Sequence, residues 1–384
     1  MDSATGRTVA FAFDIDGVLV KGKKPIPGAR ETIQFLQGLG IPFIFLTNGG
    51  GHTEEAHVAK LGQRLDLSLH PRQFVQSHTP FLDLVPEFGE QTVLVLGGHG
   101  EQIRDLARAY GFAKVVTSSD VMAEYRHVHP FPEMTASHHA KHGRRGAVPE
   151  LHSTRIAAIL VWTSPRDWCL DLQVVIDLML SDGGVIGTLS PSNGDESMPN
   201  CGYQRGGQPK LFFCNPDLEW STEHARPRFA QGAFREALKG IWSSKTRGRA
   251  HLEFESVGKP TEATYRYGER VLREYAAGEY VMTPNTSAAD ATSTRTAAVD
   301  AVYMIGDNPE SDIAGANSFR SQHGIEWKGI LVETGVYVPG TVPVHQPLYT
   351  ARDVTDAVMW ALRREGIVVA QDSGYCTPPE NGKT

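Results

Sequence analysis

Cysteine is scarce in this chain: four residues in 384, Cys169, Cys201, Cys214 and Cys376, at irregular spacing. They form neither a zinc pattern nor a disulfide framework, and a reducing compartment suits them. Long apolar runs are missing too; none approaches the roughly 20 residues needed to cross a bilayer. No extended basic cluster is present and the net charge is −7, which argues against nucleic acid as the main partner. No internal repeat is found. The opening Met1-Asp2-Ser3-Ala4-Thr5-Gly6-Arg7 is too short and polar for a signal peptide, and it lacks the arginine-rich amphipathic pattern of a mitochondrial presequence.

What is present points to a two-domain α/β protein. The length exceeds what one hydrophobic core usually serves. Val9 to Phe13 is a short unbroken apolar run, read as a strand buried on both faces. It ends at Asp14-Ile15-Asp16-Gly17-Val18, which puts two carboxylates at the carboxyl edge of a central strand, where open α/β sheets bind ligands. A helix starting near Pro27, a strand over 41–46 and a helix carrying Ala56, Val58 and Leu61 complete a βαβα order, hence a parallel sheet with right-handed crossovers. A second α/β set begins at Thr92 and continues through Val115-Val116, 156–162 and 211–213. It is expected to form a domain inserted at 89–230 into a first domain made of 1–88 and 231–369. Residues 127–152, rich in His, Pro and Arg, read as a solvated loop, and 186–209 as another. The polar tract within 283–299 is expected to be a mobile loop, and 370–384 a disordered tail.

Four stations place polar groups after an apolar strand or turn: Asp14/Asp16, Thr47-Asn48-Gly49, Lys259 in Gly258-Lys259-Pro260, and Gly306-Asp307-Asn308 with Asp312. Together they suit phosphoryl transfer. One carboxylate can attack phosphorus, and a second acid can protonate the leaving oxygen and then activate water. A hard, oxygen-ligated cation offsets the clustered acids, and Mg²⁺ fits that role. A hydroxyl, backbone N–H groups and one lysine can hold the remaining oxygens.

The stations DxDGV, LTN, GKP and GDNxxxxD, in this order, resemble the haloacid dehalogenase superfamily of phosphatases. The insertion between the second and third resembles the type-two cap of its NagD-like subfamily. FAFDIDGVLVKGKKPIPGA, FLTNGGG, QSHTP and MIGDNPESDIAGAN are similar to the cat eye syndrome critical region protein 5 group, and the likeness runs over roughly residues 8–365. The resemblance implies a doubly wound, Rossmann-like parallel-sheet core with an inserted α/β cap, and Mg²⁺-dependent hydrolysis of a small phosphorylated metabolite. It implies Asp14 as nucleophile and Asp16 as general acid/base. Asp14, the Asp16 carbonyl and Asp307 would ligate Mg²⁺. Thr47, Asn48 and Gly49 would bind the phosphoryl group, and Lys259 would neutralise it. Asp312 and Asn308 would support that shell. It further implies a homodimer through the cap, and a mitochondrial location that contrasts with the plain N-terminus, which would suit the cytoplasm.

Other readings of the same residues stand beside these. Asp14/Asp16 could be a turn pair, but an EF-hand is excluded because Leu19 stands where the loop needs glycine. Thr47 to Gly51 could be an ordinary strand-to-helix turn. Gly97-Gly98-His99-Gly100 with Asp120 partly matches a dinucleotide fingerprint, yet Ile103 replaces the third glycine, so a tight turn is the plainer reading. Lys259 has no Walker frame. His138, His139 and His142 have metal-ligand spacing, but neighbouring Pro and Gly favour a solvated loop. His78 could face substrate or cap a hinge. Asn215-Pro216-Asp217 with Trp220 could line a pocket or form an Asx turn with a packed Trp. A non-catalytic regulator on the same fold, or a nucleotide-binding oxidoreductase, are the competing functions.

Overall fold

The computed structural model describes residues 8–148, 153–220, 224, 226, 228–278 and 299–367. The main elements open with β1 (Val9–Phe13), α1 (Ala29–Leu39), β2 (Phe43–Leu46), α2 (Glu54–Leu65) and β3 (Phe74–Val75). A second set comprises β4 (Thr92–Leu96), α3 (Gln102–Tyr110), β5 (Lys114–Thr117), α4 (Ser118–Glu124), α5 (Ala136–His142), β6 (Ala158–Val161), α6 (Trp168–Leu180), β7 (Lys210–Phe213), α7 (Gln231–Lys245) and β8 (Glu255–Ser256). The chain closes with α8 (Glu262–Ala276), β9 (Ala301–Gly306), β10 (Glu326–Val332), β11 (Tyr349–Ala351) and α9 (Val354–Arg364).

The first sheet has the order β11-β10-β9-β1-β2-β3, with every neighbour parallel. β1 is central because it can be buried on both sides. Val9, Phe11 and Phe13 pack with Ile33, Leu61 and Val358 from α1, α2 and α9. Ala10 and Ala12 pack on the other face with Tyr265 and Leu272 of α8. Alternate side chains thus serve opposite helical layers, the doubly wound arrangement.

The second sheet, β8-β7-β6-β4-β5, is also fully parallel and forms the cap. Here the chain departs from the expected boundary at 231. Phe234, Leu238 and Trp242 of α7 pack with Leu94, Val161 and Phe213 of the cap, and β8 pairs with β7. The chain returns to the first sheet's side only after Ser256. An apolar helix face shows in sequence that it will be buried, but not against which sheet.

The expected solvated loop at 127–152 also needs correction. It contains α5, and His139 on that helix is buried, as is His129 before it, whereas His138 is exposed. The polar contacts of His139 outweigh the loop-favouring flanks, as set out below. Of the tract expected to be mobile, 283–298 lie outside the described residues, while Val299 is buried in the core. The expected tail at 370–384 and the first seven residues also lie outside them.

Candidate active site

Four strand or turn ends meet at the carboxyl edge of the first sheet. β1 delivers Asp14, whose N–H donates to the Ile305 carbonyl of β9 at 2.9 Å. β9 delivers Asp307. The turn after β8 delivers Lys259, which is 1% exposed. Its Nζ lies 2.9 Å from Asp14 Oδ1 and 2.7 Å from Asp312 Oδ1. The second oxygen of Asp312 accepts the Asn308 N–H at 3.0 Å, and Asn308 Oδ1 accepts the Glu310 N–H at 2.9 Å. Asp307 Oδ2 accepts the Val336 N–H at 2.7 Å.

Close backbone approach makes this packing possible. A Cβ on Gly17 would sit 2.3 Å from Asp307 Oδ2, and one on Gly335 would sit 1.8 Å from it. Gly17 also has φ +85°, a conformation that L side chains avoid.

The charges are unevenly matched. Asp14, Asp307 and Asp312 each offer an oxygen within 4.8 Å of the others, and Lys259 is the cation among them. Burial, then the charges of Asp14 and Asp312, push the Asp307 carboxyl well above the usual carboxylate range. Burial pushes Asp312 up to about 6, against the pull of Lys259. Burial disfavours the charge on Lys259, but Asp14 and Asp312 more than compensate and hold its pKa above normal. Excess negative charge on an all-oxygen donor set is what a hard divalent cation relieves, so the residues present fit Mg²⁺.

Asp16 lines a cavity of about 270 Å³ beside this cluster. Its side chain is solvent-accessible, yet the surrounding walls desolvate it, and with the Asp14 charge they push its carboxyl up to about 6. Thr47, Gly49 and Gly50 share the cavity wall. The Thr47 hydroxyl accepts the Gly49 N–H at 3.0 Å.

Asn48 does not line the cavity. Its Oδ1 accepts the Lys259 N–H at 2.7 Å and its Nδ2 donates to the Lys259 carbonyl at 2.9 Å, so one amide fixes the lysine's backbone on both sides. Nδ2 also lies 3.1 Å from Asp217 Oδ2, and Asn215 Nδ2 donates to the Asn48 carbonyl at 3.0 Å. The Asx turn at Asn215 is present, with the Asp217 N–H donating to Asn215 Oδ1 at 2.8 Å. Burial pushes the Asp217 carboxyl up to about 6. Trp220, which could have lined a pocket or packed beside that turn, is 57% exposed.

Sequence reasoning missed a further part of the cavity wall. His52, His57, Lys60 and Arg64 line it, the last three on one face of α2. Spacings of three and four residues could have revealed that basic face, but α2 was read only for its apolar positions. The glycine turn at Gly97-Gly98 is a tight turn: the Gly98 N–H donates to Thr163 Oγ1 at 2.7 Å, and a Cβ on Gly97 would sit 2.5 Å from Thr163. Asp120 is engaged by Arg104 at 2.9 Å.

Residues 11–113 match the haloacid dehalogenase-like hydrolase model, and 256–357 match a second, HAD-hydrolase-like model. A mitochondrial hydrolase of Saccharomyces cerevisiae is 34% identical over 368 residues, 94% of this chain and 97% of that protein. The chain belongs to the haloacid dehalogenase-like hydrolases. A cardiolipin synthase/mitochondrial hydrolase fusion protein of Schizosaccharomyces pombe is also 34% identical to this hydrolase; the match covers 93% of the chain but 53% of the fusion, about half its length. Among solved structures, p-nitrophenyl phosphatase from Archaeoglobus fulgidus shares the fold, with TM-score 0.56 and 17% identity over 92% of this hydrolase and 99% of that chain.

His78 sits where the core meets the cap and does not face the cavity. It is fully buried. Its Nε2 accepts the Gly51 N–H at 3.0 Å, and its Nδ1 meets Tyr110 Oη of α3 at 2.9 Å. Tyr110 in turn donates to Glu54 of α2 at 2.5 Å. This chain of bonds requires a neutral ring with Nε2 unprotonated. Burial, with His57 and His52 nearby, lowers its pKa to about 3. Between that value and 6.5 the unfolded chain binds more protons, so stability falls as pH drops through this window. At pH 5 the loss from His78 is about 2 kcal/mol. A His78→Gln variant should lose correspondingly less melting temperature between pH 7 and pH 5 than the parent; equal losses in a scanning calorimeter would count against this reading.

Proposed function

We propose that this hydrolase removes the phosphoryl group from a small phosphomonoester, with Mg²⁺, through an aspartyl-phosphate on Asp14. The convergence of Asp14, Lys259, Asp307 and Asp312 beside a cavity walled by Asp16 and Thr47 supports this reading. Asp14, Asp307 and the Asp16 carbonyl would hold Mg²⁺, which when bound neutralises charge and polarises the phosphoryl oxygens. The Asp14 carboxylate attacks phosphorus and the bond to the leaving oxygen breaks. Asp16 donates its proton to that oxygen; a pKa of about 6 leaves a usable protonated fraction near neutrality. The Asp16 carboxylate then takes a proton from water, which attacks the phosphorus and frees Asp14. The Thr47 hydroxyl, fixed by the Gly49 N–H, orients the phosphoryl oxygens, and Lys259 offsets their charge. Asn48 acts at one remove, by holding Lys259.

The cavity wall deepens the substrate class. Lys60 and Arg64 favour a leaving group that carries a second anionic function, and His52 and His57, whose pKa values burial lowers, add polar contacts. The cap would cover it and exclude bulk water. The exposed Leu218, Trp220 and Phe229 of the cap offer an apolar patch for a homodimer contact. The mitochondrial relative supports a mitochondrial location for this chain as well. Phosphate release from a panel of phosphorylated metabolites, with Mg²⁺ and with chelator, tests the proposal. Turnover should require Mg²⁺, and Arg64→Ala should raise KM for the best acidic substrate about tenfold while sparing a neutral aryl phosphate. Metal-independent turnover, or none with any phosphomonoester, would overturn it.

A further inference from the structure

A second cluster of ligating side chains lies in the cap, apart from the acidic centre. Asp167 caps the start of α6, its Oδ1 accepting the Leu170 N–H at 3.0 Å. Its other oxygen, Oδ2, is the focus of three groups. His129 Nε2 and His139 Nε2 each lie 3.0 Å away, and Thr135 Oγ1 lies 2.6 Å away. One atom each from His129, His139 and Asp167 falls within a 4.8 Å span. The two histidines are 3% and 5% exposed, so the cluster is enclosed. Of the histidines with ligand spacing on α5, only His139 joins it; its real partners come from two other segments of the chain.

We propose that His129, His139 and Asp167 form a binding site for a divalent transition-metal ion, Zn²⁺ in the first place. Two imidazoles and one carboxylate are a borderline donor set, which disfavours Mg²⁺ and Ca²⁺ and suits zinc. Zinc bonds of about 2.0–2.2 Å place the ligand atoms of a tetrahedral site roughly 3.3 Å apart, close to the 3.0 Å that separates each histidine nitrogen from the Asp167 oxygen. Without an ion, both imidazoles must carry their proton on Nε2 and aim it at one oxygen that Thr135 already occupies. With the ion, the Nε2 lone pairs and the carboxylate share it, and the Thr135 hydroxyl or a water completes the shell. The second nitrogen of His139 is already engaged: Nδ1 lies 2.9 Å from Ser119 Oγ, the outer contact that fixes a ligating ring. The ion would tie the segment carrying His129 and α5 to the start of α6. That segment has little apolar burial of its own, the situation in which a structural metal supplies stability.

The test uses the full-length protein, stripped by chelation and kept in excess Mg²⁺ to occupy the acidic centre. Cobalt(II) serves as the spectroscopic probe and Zn²⁺ as its competitor. One equivalent of Co²⁺ should produce the intense visible bands of a low-coordinate nitrogen/oxygen site, and Zn²⁺ should abolish them and raise the melting temperature. His129→Ala and His139→Ala should each weaken binding by about 100-fold, and Ser119→Ala by about tenfold. Asp307→Asn should keep the bands, since that residue belongs to the other centre. Absence of the bands in the parent protein, their loss in Asp307→Asn, or their persistence in a folded His129→Ala/His139→Ala double variant would overturn the proposal. Should the double variant not fold, the parent and Asp307→Asn spectra still decide it.

Discussion

Asp14→Asn should lose at least about 10⁴-fold in turnover while keeping its fold, because the amide cannot attack phosphorus and the residue's other bonds survive. The backbone bond to Ile305 does not involve the side chain. The amide oxygen can still accept from Lys259, so no cavity and no unpaired ammonium result. The expected signature is therefore specific: an unchanged far-UV spectrum and melting profile, no phosphate release, and no acid-stable ³²P incorporation from a labelled substrate. Undiminished turnover in a well-folded Asp14→Asn protein would remove this aspartate from the chemistry.

Lys259→Met should show the opposite balance, with stability lost as well as activity. The ammonium is buried between Asp14 and Asp312, at 2.9 and 2.7 Å. Removing it leaves carboxylates facing each other in a site already strained by Asp307. Breaking a buried pair from one side costs about 3–5 kcal/mol, most of it the penalty for the charge left behind. Adding Asp312→Asn to that variant should restore part of the loss, because it removes one of the stranded charges. Urea unfolding of the single and double variants measures this; equal midpoints for parent and Lys259→Met would show that the pair contributes nothing to the fold. Turnover should not recover in the double variant.

The sequence exposed most of the site and less of its surroundings. Asp14, Thr47 and Asp307 each follow an apolar run, and such runs end at one edge when the strands are parallel. That regularity needs no knowledge of tertiary contacts. The placement of α7 does, since its buried face would fit either sheet. His139 was obscured for a related reason. Its flanking proline and glycine residues speak for a loop, and the partners that draw it inward, Asp167 and Ser119, are distant in sequence. The basic face of α2 was legible as spacing, but nothing local marks it as the wall of a cavity rather than a solvated surface. Asn48 was expected to support the phosphoryl group; its bonds to Lys259 and to the residues after β7 could be learned only from the assembled chain.

Those bonds of Asn48 bear on how this protein can diversify. A cap that recognises a different molecule could in principle be exchanged as a module, since the two sheets have separate cores. Yet one residue holds the backbone of Lys259 and the strand exit of the cap, its amide bonding Lys259 and Asp217 and its carbonyl accepting from Asn215. A transplanted cap that lacks this pair would loosen the lysine that the chemistry depends on. Inheritance of new specificity is therefore expected to proceed by remodelling the cap's outer loops, with the segment after β7 retained as the graft junction.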